Sequence, residues 1–456
     1  MTTNAELTRE YLVIIDELQG DIEGRRKARE YMKHSTAIVH HKVVDSTFIP
    51  KLFDKQSYSV LKDTAETAHR ILCKVMQRYI DDPEYRHLFS FDERLVELIL
   101  LPRAYQSMLP FARVDVFFDE ETGSVRFCEF NGDGSSGMNE QREISVSCAI
   151  TPSFKAFAQK HRIKMSELFN TWVDKFIEIY NQLPERYIHP NFAIVDYLEN
   201  GVVDEFQIFA KLFKGRGISC YVVDVRDLRF DGNQLTDPEG HRIDAIWRRC
   251  VTNDVIEHWD ESLDLINAVR AGKVQLIGSF AGHIVHDKQI FQVLHNPATH
   301  AFLSSEEVAF IERTVPFTAF LDEAYVDIAD IKAHRQRWII KPTDAYAARD
   351  VYSGAGLSQT EWEEKIDRFA NGAAGAPFIV QEYITPHRTL ALAPDVDIDE
   401  LSDAEVCREP QYYNNLSGLY LYDGQFAGVF SRLGPLPIIS KDMKGFTAAS
   451  VWVDCD

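Results

Sequence analysis

The chain has 456 residues, 45% hydrophobic and 26% charged, enough for two to four domains or one large composite enzyme. Its formal net charge of -21 argues against nucleic acid or an anionic membrane as the main partner, while leaving room for a local basic pocket that holds a nucleotide. Seven cysteines without CxxC spacing read as reduced thiols rather than a zinc site or disulfide framework. An acidic N-terminus and the lack of any long apolar run add to an expected cytoplasmic location.

Residues 5–101 read as mostly helical. Apolar residues recur every three or four positions in AELTREYLVIIDELQGD, EGRRKAREYMKHS, SYSVLKDTAETAHRILCKVMQRYIDD and, past Pro83, FSFDERLVELILL. Residues 1–110 are therefore taken as a helical N-terminal region. His40 and His41, adjacent on an extended segment, point apart and read as a solvated or core pair rather than a ligand pair.

The stretch that carries the chemistry is FARVDVFFDEETGSVRFCEFNGDGSSGMNE. Two β-type runs, 112–118 and 124–131, flank a turn-rich DEETGS, the pattern of a β-hairpin. Pairing centred near Thr122 sets Asp115 across from Glu129 and Arg113 across from Asn131. Strand alternation groups Phe127 with Glu129 and Asn131 on one face, and Cys128 with Phe130 on the other. Directly opposed carboxylates destabilise a sheet unless positive charge lies between them. Arg113 supplies part of that charge. A divalent cation held by Asp115, Glu129 and Asn131, an all-oxygen set of the kind Mg²⁺ uses with phosphates, supplies the rest. Asp115 is thus expected in the site rather than in the core.

The GDGSSG that follows matches GxGxxG directly after a strand, the context of a dinucleotide fingerprint and hence of an NAD-dependent oxidoreductase. Polar residues on one face of the preceding strand argue against that reading, as does the lack of any acidic residue in 148–166. The glycines more simply let the backbone pass close to a substrate or phosphate.

Helical patterns at 151–158 and 164–182 complete a segment, 111–188, in which the hairpin and its helices form part of one core. Residues 189–280 change to α/β texture. NFAIVDY, SCYVVDV and AIWRRC are strands and VVDEFQIFAKLFKGRG a helix, which with a short crossover favours a parallel sheet, a small Rossmann-like subdomain. In 281–456, SEEVAFIERTV and QTEWEEKIDRFA are helices, and RWIIKP and PFIVQEYI are strands. NLSGLYLYDGQFAGVFSR is a hairpin about Asp-Gly, and ASVWVD a closing strand.

Lys341 ends the apolar strand RWIIKP, and Lys288 lies in GHIVHDKQIFQVLHN. A lysine held beside a sheet is costly unless it meets an anion such as a triphosphate; taken alone, either could snorkel to solvent. The combination says more. ARVD with CEFN, DLRFDGNQLTDPEGHRIDAIWRR, GHIVHDKQ, RWIIKP, FIVQEYI and LYDGQFAGVFSR resemble, in that order, the synthetase part of glutathionylspermidine synthases. These are circularly permuted ATP-grasp enzymes, and the resemblance runs from about Phe111 to the end. The order itself points to the permuted group, because ordinary ATP-grasp proteins carry the metal-binding carboxylate and Asn last.

The resemblance implies a mixed α/β, circularly permuted ATP-grasp-like fold, with ATP-binding subdomains in 281–456. It implies ATP and Mg²⁺ as cofactors. A small-molecule carboxylate (amino acid or peptide) and an amine would be joined through an acyl phosphate, with no nucleic-acid or membrane partner. By this resemblance Asp115, Glu129 and Asn131 hold Mg²⁺, while Arg113 and Arg432 act on the transferring phosphoryl group. Lys288 and Lys341 contact the α- and β-phosphates, and Gln381, Glu382, Tyr383 and Ile384 run beside adenine. Ser135 and Ser136 fall in the run that touches the carboxylate substrate, where this chain departs from the family's usual Ala-Asp. It departs again after Lys341, where TDAYAARDV has no glycine before Gly354. That glycine-poor loop motivates an alternative, a non-catalytic nucleotide-binding or regulatory protein that kept the fold.

Overall fold

The computed structural model describes residues 3–39, 42–134, 136–199, 201–345, 348–373 and 375–455. His40, His41 and Ser135 lie outside the described residues. The N-terminal part is largely helical. α1 (Asn4–Glu17) starts in a capping box between Thr3 and Glu6, and α2 (Ile22–Lys33) follows it. α3 (Lys55–Asp81), capped by Asp54, buries Leu61, Ala65, Ala68, Leu72, Val75 and Met76 as one apolar stripe. Among the described residues no helix is long and apolar enough to cross a membrane.

β1 (Phe111–Phe118) and β2 (Val125–Asn131) form the antiparallel hairpin, with Asp115 opposite Glu129 and Arg113 opposite Asn131, the register expected. Strict alternation fails inside it. Val116 pairs with Phe127, so β2 carries one extra residue at Cys128, a β-bulge. Phe127 therefore joins the apolar side, with its ring 4.8 Å from that of Phe130 and in the same core as Val114 and Val116. α4 (Met138–Ala149), N-capped by Gly137, is a helix that the apolar periodicity does not announce. Its buried face is largely polar (Asn139, Gln141, Glu143, Ser145, Ser147), so no hydrophobic stripe marks it. α5 (Phe169–Asn181) begins later than the 164–182 pattern suggests, because Ile163–Met165 is drawn out as a strand against the C-terminal segment.

β3 (Asn191–Asp196), β4 (Ser219–Asp224), β5 (Ala245–Arg248) and β6 (Gln275–Leu276) make a parallel sheet in the order β6-β5-β3-β4, with α6 (Val203–Gly215) as the crossover between β3 and β4. A short helix, α7 (His283–His286), precedes Lys288. β7 (Thr318–Phe320), β8 (Trp338–Pro342), β9 (Tyr352–Ser353) and β10 (Phe378–Glu382) form an antiparallel sheet in the order β7-β10-β8-β9. Lys341 stands on β8 opposite Ile379 of β10.

β11 (Gln411–Tyr422) and β12 (Gln425–Gly434) are joined by Asp423 and Gly424, both at positive φ (48° and 79°), as a two-residue hairpin turn requires. On its other side β11 pairs with β1, so two hairpins far apart in sequence fuse into one antiparallel sheet. β13 (Phe446–Ala448) extends it beyond β12. β14 (Ser450–Val453) pairs instead with Lys51–Phe53 and Ile163–Met165, tying the chain's last segment to its first third.

Candidate active site

The fused sheet brings together charges that lie hundreds of residues apart. Gly418 of β11 pairs with Asp115, and a Cβ there would come within 2.8 Å of Arg113 Cδ and 2.9 Å of Asp115 Oδ1. A glycine at this point keeps the sheet surface open, and Arg432 of β12 reaches Asp115 across it. Asp115 is fully buried. Its Oδ1 accepts from Arg113 Nε at 2.7 Å, and its Oδ2 accepts from Arg113 Nη2 at 3.2 Å and from Arg432 Nη2. Arg113 also donates from Nη1 to the Ser136 carbonyl at 2.6 Å, and the Tyr420 hydroxyl donates to the same oxygen at 2.8 Å. Ser136 thus contributes its backbone to the site's frame.

Glu129 is the more open of the two opposed acids, with its side chain 25% exposed, and Lys288 Nζ lies 3.3 Å from its Oε1. Burial alone would raise its pKa. Lys288, His286, Lys341 and Arg113 overcome that and hold the carboxyl at about 2. Cationic side chains therefore stand beside both opposed acids, Arg113 and Arg432 at Asp115 and Lys288 at Glu129, with Arg113 bearing on both. Asp115 lies deeper than expected, as a member of the buried sheet.

Lys288 Nζ also donates to the Ala345 carbonyl at 2.8 Å, and its backbone N–H to Thr343 O at 2.8 Å. Lys341 Nζ donates to Gln381 Oε1 at 2.8 Å and to Cys128 O at 3.3 Å. That carbonyl belongs to the bulged residue, which the strand ladder leaves unpaired. Gln381 donates in turn to Thr318 Oγ1 at 2.9 Å, which fixes it as a bracket for Lys341. Glu382 turns its side chain to Arg126 and donates its N–H to Phe317 O at 2.9 Å, while Tyr383 N–H goes to Arg337 O at 2.8 Å. Ile384 lies just past the end of β10, partly buried.

Gly132, Gly134 and Gly137, between β2 and α4, each have a structural use. A Cβ on Gly132 would meet Val285 Cγ2 at 2.3 Å and Gly282 O at 2.6 Å, while Gly134 and Gly137 take positive φ (61° and 98°). The strand before this turn pairs antiparallel with β1, so it opens no βαβ unit of the dinucleotide kind. Between the glycines sits Asp133, unmarked in the sequence reading. It accepts from Arg248 Nη2 at 2.6 Å and from Thr252 N and Oγ1 at 2.7 and 2.6 Å, locking the turn to the parallel-sheet region. Burial opposes its ionisation, but Arg248, His286 and His283 outweigh it and hold the carboxyl at about 2. Consecutive arginines closing the apolar strand AIWRRC were the available signal for a buried acid partner.

The donor set fits a divalent cation in part. Glu129 is kept ionised, and the Asn131 side-chain amide nitrogen is buried without a hydrogen-bond partner among the described residues. Turned about, that amide presents its oxygen at the same spot. Mg²⁺ commonly takes one or two carboxylates and completes its shell with water and phosphate oxygens. Asp115 already has both oxygens engaged by guanidinium groups.

No family model matches this sequence, and no curated protein matches it. Among solved structures, a glutathione synthetase-like effector from Globodera pallida, in its apo form, superposes with a TM-score of 0.59 at 11% identity, over 90% of this chain and 94% of that one. A putative gamma-glutamylcysteine synthetase from Methylobacillus flagellatus reaches 0.42 at 11% identity, over 83% and 87%. The first likeness establishes a shared fold over nearly the whole length, and the mixed α/β architecture with several sheets fits an ATP-grasp-like fold.

Proposed function

We propose that this protein is an ATP- and Mg²⁺-dependent carboxylate–amine ligase, of the glutathionylspermidine synthase type in its circularly permuted layout, with a small carboxylate and an amine as substrates. One observation carries the reading. In a chain of net charge -21, Arg113, Arg432, Lys288 and Lys341 gather around Asp115, Glu129 and Asn131. A fold shared with a synthetase-like protein adds support.

Glu129 and Asn131 would hold the metal, with Asp115 fixing the arginines beside it. ATP supplies the phosphoryl group and Mg²⁺ offsets charge on its phosphates. The rest falls to the chain. Lys288 and Lys341 exchange carbonyl and amide partners for phosphate oxygens. Arg113 and Arg432, preset by Asp115, offer donors to the charge that develops as the substrate carboxylate takes up a phosphoryl group. The resulting acyl phosphate turns a poor electrophile into one with a good leaving group, and orientation within the cleft lets an amine attack it. The edge of β10 would lie along the adenine.

The test is a phosphate-release screen of carboxylates crossed with amines. Phosphate should appear only when a matched pair, ATP and Mg²⁺ are all present. Binding of nucleotide with no release for any pair would favour the second reading, a non-catalytic nucleotide-binding protein. The Ala345 carbonyl on Lys288 gives that reading its own support, because the glycine-poor loop already takes a donor that phosphate needs.

A further inference from the structure

An open pocket of about 360 Å³ lies between the C-terminal end of α2 and the side of α4. Small-molecule sites commonly span about 300–1,000 Å³, so the space suits a compact ligand. Residues 30–31 and 34–36 form one wall, and Arg142 with Glu143 the other. None of the residues given a role above lines it.

Most of its polar groups are already spent on the protein. Tyr31 donates its hydroxyl to Glu143 Oε2 at 2.6 Å, and Ser35 Oγ donates to Met32 O at 2.8 Å. Thr36 Oγ1 donates to Asn139 Oδ1 at 3.0 Å, and the Asn139 amide donates back to Thr36 O at 2.7 Å. Glu143, with its side chain only 5% exposed, accepts on Oε1 from Arg142 Nε at 2.9 Å and from Arg142 Nη2. These bonds, with the Phe169 ring centre 5.1 Å from the guanidinium carbon, hold Arg142 in one orientation.

Two charged groups are left over. Arg142 Nη1 has no hydrogen-bond partner among the described residues. The Glu30 carboxylate accepts no hydrogen bond among them either, with His34 Nδ1 3.4 Å from its Oε1. A guanidinium preset on one wall suits a carboxylate. An open carboxylate on the other, at the negative end of the α2 dipole, suits an ammonium. A plain anion would face Glu30 and a plain cation would face Arg142. A molecule carrying both signs close together escapes both penalties.

We propose that this pocket binds a free α-amino acid as its zwitterion, the carboxylate on Arg142 and the ammonium on Glu30. The ligand would rest on the helix that frames the candidate active site. Arg142 lies about 8 Å along α4 from its N-cap Gly137, next to the Ser136 carbonyl that Arg113 and Tyr420 hold. The assignment stands whether or not the chain is a ligase.

The experiment titrates the full chain, without nucleotide, with L-alanine, L-glutamate and L-lysine by calorimetry. Their α-amides, which lack the carboxylate, and their Nα-acetyl forms, which lack the ammonium, are titrated beside them. At least one free amino acid should bind at millimolar concentration, with its two blocked forms each about 10-fold or more weaker. Arg142→Gln and Glu30→Gln should each weaken that binding about 10-fold or more. The Glu30 side chain is 62% exposed, so its variant should melt with the wild type, and it decides if Arg142→Gln melts early. Binding by none of the three, equal binding of the blocked forms, or binding that Glu30→Gln leaves unchanged overturns the assignment.

Discussion

Across the strand pair β1–β2, Asp115 is enclosed between Arg113 and Arg432, whereas Glu129 keeps a quarter of its side chain open and meets Lys288. The same contrast divides the sheet, as a floor, from the segments packed against it. On the floor the charges close on one another within the sheet, and the turn is locked by Asp133 with Arg248. Against it, Lys288 divides its ammonium between Glu129 and the Ala345 carbonyl, and Lys341 rests on Cys128 O and Gln381 Oε1, neutral oxygens that an anion can replace. His283 and His286 leave their Nδ1 atoms unmet. A buried charge with fixed partners holds architecture; one with exchangeable partners is ready for a ligand. On the proposed reading, the exchangeable partners mark where ligand binds and the floor aims them.

The largest expected effect breaks that division from below. Asp115→Asn removes the anion from between two guanidinium groups at a fully buried site, a change that costs about 3–5 kcal/mol when one partner of a buried pair is lost. Urea unfolding should show a lower midpoint at unchanged slope, together with lost turnover. A variant that unfolds with the wild type would mean that the floor bears no such load.

This is where the sequence and the structure part most clearly. Hairpin register, the Asp-Gly turn, the parallel strands and the strand that carries Lys341 were legible, because alternation, turn chemistry and apolar runs are local. Asp115's enclosure was not, since Arg432 arrives from a strand more than 300 residues on (432 against 115). The bulge at Cys128 was hidden too, because one extra residue leaves no mark in composition yet sends Phe127 to the core and frees a carbonyl for Lys341. α4 went unread because it buries polar groups, and the histidines of α7 because only tertiary packing shows that they lack partners.

A smaller effect separates the segments packed on the sheet from the floor. Lys288→Met should weaken nucleotide binding about 10-fold or more, roughly 1.4 kcal/mol, with little change in melting temperature. Calorimetric titration beside a thermal melt reads both. A large fall in melting temperature would make Lys288 part of the frame.

The smallest is a matter of pH. Glu129 titrates at about 2 in the folded chain, below its ordinary 4.5. A depressed carboxyl contributes stability that is complete above its unfolded pKa and is lost as pH falls through the folded one. Stability should thus decline between about pH 4.5 and 2. Glu129→Gln should flatten part of that decline, with Asp133 accounting for another part. Parallel acid titrations of wild type and variant by circular dichroism measure it, and identical slopes would remove Glu129 from the ionised set.

The most direct measurement follows oxygen. A carboxylate identified in the phosphate-release screen is labelled with heavy oxygen, turned over with ATP, Mg²⁺ and its amine, and the released phosphate is analysed by mass. Activation through an acyl phosphate must leave one carboxylate oxygen in that phosphate. Unlabelled phosphate, with the oxygen lost from the carboxylate found in water or on another product, would contradict it.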